Sequence, residues 1–191
     1  FDADIDQHMR RTQNRPVPLG HISPRGALLF GIIIALGGSS LFLLVSWKAA
    51  FWSFFSVLFY VLIYTMWLKR RTPQNIVIGG LFGAAPPLFG WTAVTNSIDP
   101  GGLLLVLIIF AWTPPHFWSL AIITKDDYAT ASIPMLPVLY GVERTRRSIL
   151  YYTIILMISS QFIAFSEIGG PMFFLLSNIL NAVLLLSAVN L

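Results

Sequence analysis

The chain contains no cysteine. That absence excludes disulfides, thiolate nucleophiles and Cys-ligated metals, and it leaves the redox compartment unread. Charge is nearly as scarce: charged residues make up 10% of 191 positions against 56% hydrophobic residues, and mean hydropathy is +0.75. So apolar a composition excludes a soluble globular domain. Also missing are alternating segments of about ten residues, the signature of a membrane barrel. What remains is an all-α, polytopic membrane helix bundle.

The apolar residues fall into six uncharged runs, 26–46, 50–68, 75–95, 102–123, 148–166 and 171–191. Each is close to the roughly 20 residues that a helix needs to cross hydrocarbon, where the backbone must satisfy its own hydrogen bonds. The third run holds Gly79, Gly80, Gly83 and Pro86-Pro87, which disfavour a helix in water. In lipid the same residues read as a tight helix contact, with Gly79 and Gly83 at small-xxx-small spacing. The chain opens on Phe1 and stops at Leu191 inside an apolar run, so it reads as one transmembrane domain, 1–191, truncated at both ends.

Six spans alternate the connecting segments between two sides. Segments 1–25, 69–74 and 124–147 fall on one side, and 47–48, 96–101 and 167–170 on the other. Eleven of the twelve basic residues lie on the first side, Lys48 being the exception. The positive-inside rule makes that side cytoplasmic, or the matrix in a mitochondrion. A bacterial inner membrane is the expected location, with the mitochondrial inner membrane as the alternative. The net charge of +4 is thus a sign of orientation, and nothing resembles a nucleic-acid-binding module.

Two acidic clusters share this basic side: Asp2, Asp4 and Asp6, and Asp126-Asp127 behind Lys125. Crowded carboxylates repel one another unless positive charge sits between them. If 2–9 is helical, Asp2 and Asp6 lie on one face with Cβ atoms about 6 Å apart and can share a cation, while Asp4 points elsewhere. Magnesium suits such a pair, because it is commonly held by one or two carboxylates plus substrate phosphates. The alternative is that aspartates near a helix start complement its dipole. Arg10, Arg11, Arg15, Lys69, Arg70, Arg71 and Lys125 offer donors to a diphosphate, or serve as topology signals.

The wording of the segments carries a resemblance. FDADIDQHMRRTQNRP at 1–16 is similar to the first aspartate-rich motif of the UbiA superfamily of intramembrane prenyltransferases. That block, with LKRRTPQNIVIGG at 68–80, GAAPPLFGW at 83–91, TPPHFWSLAI at 113–122 and KDDYATASIPMLPV at 125–138, resembles the protohaem IX farnesyltransferase (haem O synthase) branch. The five blocks stand in order and cover most of the chain.

The resemblance implies a nine-helix fold of which this chain holds six, and a reaction that joins farnesyl diphosphate to a vinyl group of haem B to make haem O. Diphosphate leaves with magnesium assistance, and water is added. It implies catalytic roles for Asp2, Asp6, Asp126 and Asp127, with Asp2, Asp6 and Asp127 as metal ligands. Arg11, Arg15, Lys69, Arg70, Arg71, Asn75, His116, Lys125 and Tyr128 then bind substrate. Haem O would pass to a haem A synthase or a terminal oxidase assembly pathway. One departure stands: the wider superfamily has a second Asp-x-x-x-Asp motif, whereas four before Asp127 is Ile123 and four after is Ala131.

The aromatic residues Trp67, Phe82, Trp91, Phe117 and Trp118 are candidates to wall a dry cavity for a farnesyl cation, or to pack and anchor. His116 lies about 10 Å inside the fourth run. It is either a haem ligand or a polar tether between helices, and Pro114-Pro115 beside it should loosen the helix. His8 and His21 read as solvated. Two rival classes remain: a prenyltransferase for a quinone or other aromatic acceptor, which should lack TPPHFW and KDDY, and a transporter, which should carry charges inside its spans.

Overall fold

A computed structural model describes residues 1–191. Six helical segments are long and apolar enough to cross a membrane: Pro24–Leu44, Trp47–Arg70, Asn75–Thr95, Pro100–Ile123, Leu136–Ala164 and Pro171–Val189. The expected all-α bundle is therefore the architecture, though several spans depart from plain helices in ways that shape the site.

The chain starts with a single turn, α1 (Ala3–Asp6). Ile5 and Met9 are buried, four residues apart and thus on one side, and each anchors the segment by about 1.5–3 kcal/mol of apolar burial. They join Ile76, Trp118, Tyr128, Leu136 and Ile149 in one hydrophobic cluster, so the N-terminal segment is packed against the bundle.

The first span opens as α2 (Pro24–Leu41), where Ser23 accepts the Gly26 N–H and Pro24 takes the first position, a site where its missing N–H costs nothing. The second opens as α3 (Trp47–Leu58), capped by Ser46 through the Ala49 N–H. It then widens into a π-helical stretch, Phe59–Thr65. A π turn changes which side chains face inward and recurs at functional sites; here it carries Tyr60 and Tyr64.

The run 75–95 is two helices rather than one, α4 (Asn75–Gly83) and α5 (Pro86–Thr95). Pro86 and Pro87 have no N–H to donate to the carbonyls of Phe82 and Gly83 four residues earlier. The Phe82 carbonyl instead accepts the Ala85 N–H at 3.2 Å and the Ser56 hydroxyl at 3.1 Å, which ties α3 to the break. The tight contacts also differ from the expected Gly79–Gly83 pair. Gly79 lies directly under the Tyr64 ring and Gly80 against Thr113, while Gly83 has open space before it.

The fourth span is α6 (Pro100–Ile123), started by Asp99, which accepts the N–H groups of Gly101 and Gly102. It runs unbroken through Pro114 and Pro115, contrary to the loosening expected there. The short α7 (Lys125–Thr130) follows at once. The fifth span, α8 (Leu136–Ala164), starts well before residue 148, with Gly141 at φ 82° marking a bend near its start. Residues 143–147, expected in a loop, are therefore helical. The last span is α9 (Pro171–Val189), joined to α8 through Asn181, whose amide donates to Ser160 at 2.7 Å.

Candidate functional site

The acidic N-terminal segment meets the basic turn after the second span. Asp2 is ion-paired to Lys69 and stands 3.9 Å from Arg70. Asp4 receives both terminal nitrogens of Arg70, at 2.7 and 2.8 Å, and that guanidinium draws its carboxyl down to about 2. Asp6 is paired with Arg15 at 3.1 Å. The three carboxylates thus meet three cations, Arg70 standing between Asp2 and Asp4, and two of the three come from the 69–74 segment. The burial of Ile5 and Met9 on the opposite side fixes this orientation.

The second acidic segment is brought to the same end of the bundle. Tyr128 is buried in the cluster with Ile5 and Met9. Burial pushes its phenol up, against the charge of Arg11, which lies beside it. On α7, Asp126 is exposed and Asp127 and Lys125 are partly exposed, and none of the three forms an ion pair. Segments 1–25, 69–74 and 124–147 therefore sit together. At the other end Lys48 donates to the Asn96 carbonyl at 2.8 Å, and Ile168 lies beside Gly101.

Next to the acidic segment is a cavity of about 320 Å³ between the π turn, α4 and α6. Tyr60, Tyr64, Gly79, Gly83, Trp112 and Phe117 are among its lining residues. The two tyrosines also lie within electrostatic reach of Asp2, so the apolar space begins where the charged array ends. Asn75 stands four residues before Gly79 on α4, completely buried. Its amide nitrogen donates to the Thr72 carbonyl at 2.7 Å, and its amide oxygen has no partner.

Of the aromatic residues singled out from the sequence, only Phe117 lines this cavity. Trp118 is in the core, Phe82 stacks on Phe59, Trp67 is exposed, and Trp91 packs at the far end near Gly101 and Gly102. The lining tyrosines were missed because a π turn is invisible to helical periodicity. His116 is exposed, stacked on Trp112 with ring centroids 4.4 Å apart and edge-on to Phe117 at 5.2 Å. It has no polar partner on a neighbouring helix. Arg71, Arg10, His8 and His21 are exposed, and His8 meets only the Asp4 carbonyl, at 2.7 Å.

No three carboxylate or imidazole groups converge as a ready metal cage. A magnesium ion carried in by a diphosphate does not need one, since phosphates and water supply most of its oxygens. Asp2 fits that role through Oδ1, which is buried without a hydrogen-bond partner and 3.9 Å from the Arg70 guanidinium, while the other oxygen faces Lys69. An anionic oxygen buried in that state is costly unless a cation or donor reaches it.

A model of the UbiA prenyltransferase family matches residues 1–191. Among similar proteins, protoheme IX farnesyltransferase 2 of Pseudoalteromonas atlantica is 54% identical over 182 residues, which is 95% of this chain and 60% of that protein. The protoheme IX farnesyltransferase of Bartonella tribocorum is 44% identical over 194 residues, 100% of this chain and 62% of the relative. That of Paracoccus denitrificans is 48% identical over 185 residues, again 95% and 60%. The chain thus spans about 60% of the length of the curated relatives it matches. No solved structure matches it.

Proposed function

The chain belongs to the UbiA prenyltransferase family, and on that premise we propose that its protein transfers the farnesyl group of farnesyl diphosphate to a vinyl group of haem B, making haem O. The relatives' names supply the substrates. The observation that carries the residue assignment is the array of Asp2, Lys69, Arg70, Asp6 and Arg15 beside the cavity that Tyr60 and Tyr64 line.

The allylic C1–O bond breaks and its electron pair leaves on the diphosphate. The vinyl group attacks C1, and water supplies the hydroxyl at the carbon left electron-poor, releasing a proton. Lys69, Arg70 and Arg15 exchange their carboxylate partners for phosphate oxygens and stabilise the charge that develops there. Asp2 and Asp6, with Asp127 from the second segment, would hold magnesium, which would supply further positive charge against the departing diphosphate. Arg11, Arg71 and Lys125 complete the basic surround, and Tyr128 holds Arg11 in place. Asp126, exposed beside Asp127, is a further catalytic carboxylate of this segment, and Asn75 presents its unpartnered oxygen from the cavity-lining helix.

Tyr60, Tyr64, Trp112 and Phe117 exclude water from the farnesyl chain, and their ring faces favour a cation electrostatically. His116, exposed beside Trp112 and without a polar partner in the bundle, is the imidazole available to haem iron. The basic end of the bundle faces the cytoplasm, in a bacterial inner membrane, and the product passes to a haem A synthase or oxidase assembly. To test this reading, membranes containing the full-length protein are incubated with haem B, farnesyl diphosphate and magnesium. Haem O detected by mass supports it; a farnesylated quinone or other aromatic product with no haem O overturns it.

A further inference from the structure

The first turns of α8 carry a charged, open surface groove that the proposed reaction does not use. It measures about 510 Å³ and is lined by Tyr140, Glu143, Arg144, Arg147 and Tyr151. Glu143, Arg144, Arg147 and Tyr151 recur at three-, four- and seven-residue spacing and so form one stripe of the helix, while Tyr140 precedes the bend at Gly141 and meets the stripe through Arg144. The stripe faces away from the bundle, toward which Thr145, Ile149 and Thr153 are buried.

Length places the stripe at the membrane boundary. Beyond the bend at Gly141, residues 142–164 of α8 extend for about 35 Å at about 1.5 Å each, against about 30 Å of hydrocarbon. The excess falls at the Leu136 end, because from Ser148 onward the helix has no charged residue. Tyr140 and Tyr151 are 50% and 64% exposed, as aromatic side chains at the headgroup level are. The Arg144 guanidinium lies over the Tyr140 ring, 4.6 Å from its centroid. Arg147 is paired only with Glu143, at 3.1 Å, so this turn carries Arg144, Arg146 and Arg147 against one carboxylate.

We propose that this stripe docks the headgroup of an anionic phospholipid, with Arg144 and Arg147 holding its phosphate and Tyr140 and Tyr151 flanking it. Guanidinium forks match phosphate oxygens in pairs and are weakly hydrated. Basic residues at the boundary are drawn to anionic lipid. Glu143 competes with the phosphate for Arg147, which makes it a restraint on binding. A purely topological role for these arginines would require charge alone and would be indifferent to Glu143.

The test uses native mass spectrometry of the full-length protein in detergent with added phosphatidylglycerol or phosphatidylcholine, and haem O formation as a check that each variant is folded. Phosphatidylglycerol is expected to bind more tightly than phosphatidylcholine. Arg144→Ala with Arg147→Ala should weaken phosphatidylglycerol about 25-fold, at about fivefold per arginine, and leave phosphatidylcholine unchanged. Glu143→Gln should tighten phosphatidylglycerol severalfold. Equal binding of the two lipids, or displacement of the lipid by millimolar inorganic phosphate, overturns the proposal. So does a Glu143→Gln variant that binds as the parent does, which keeps the test decisive if the double variant fails to fold.

Discussion

Lys69 and Asp2, 67 residues apart in sequence, are joined as an ion pair at the acidic end of the bundle. The pair fastens the N-terminal segment to the turn after the second span, and it leaves one Asp2 oxygen buried without a hydrogen bond, 3.9 Å from Arg70. Neither side chain is fully exposed, so removing one leaves the other charge poorly compensated.

Lys69→Ala should therefore harm the protein more than Lys69→Arg. We expect the melting temperature and the affinity for farnesyl diphosphate to fall together in the alanine variant, with partial recovery in the arginine variant. Calorimetry and isothermal titration on one preparation read both. Unchanged values in Lys69→Ala would show that the pair is dispensable.

The Asp4–Arg70 contact gives a pH signature. Arg70 holds Asp4 at about 2, below the ordinary carboxylate value of about 3.9. A depressed folded-state value means that the contact stabilises above about pH 4, and that this contribution fades as pH falls toward 2. Asp4 is 61% exposed, so solvent screening limits the contribution to less than about 1 kcal/mol. The melting-temperature difference between the parent and Asp4→Asn should shrink as pH is lowered from 6 to 3; a constant difference contradicts the pairing.

Gly79 meets the Tyr64 ring where any Cβ would stand. Gly79→Ala should cost about 1–3 kcal/mol, typical of overpacking, and reshape the cavity. Adding Tyr64→Ala should recover part of that stability, because the colliding ring is gone. Simple additivity of the two losses in a thermal-unfolding cycle would mean that the ring moves aside freely.

Much of the bundle was legible in the sequence: the six runs, their parity and the meeting of the two acidic segments at the basic end follow from hydropathy and charge. Finer features depend on long-range packing. Pro86-Pro87 marked a weak point, but the Ser56 hydroxyl that adds a second hydrogen bond to the Phe82 carbonyl comes from another helix. Arginine density concealed the helical start of α8, because it also marks membrane loops. The pairing of Asp2 and Asp4 with Lys69 and Arg70 had no local signal, since those cations are distant in sequence. The same is true of Thr145, buried amid exposed arginines.

That burial also decides where to probe the loop sides. Single cysteines at Gln13, Gln74 and Arg146, all exposed, should label from the cytoplasmic side of intact cells. Cysteines at Ile98 and Glu167, exposed at the opposite end, should label from outside. Labelling of residues from both groups on one side would overturn the orientation.

The most direct measurement of the account compares haem O turnover, haem binding and farnesyl diphosphate binding in full-length Asp2→Ala, Asp4→Ala and Asp6→Ala. The acidic array is assigned to the diphosphate and its magnesium, so Asp2→Ala and Asp6→Ala should lower turnover by about 10²–10³-fold, the scale of a lost transition-state contact. Haem binding should be retained, and Asp4→Ala, whose carboxylate points to exposed Arg70, should stay within a few-fold of the parent. Equal losses in all three variants, or loss of haem binding with turnover, would contradict it.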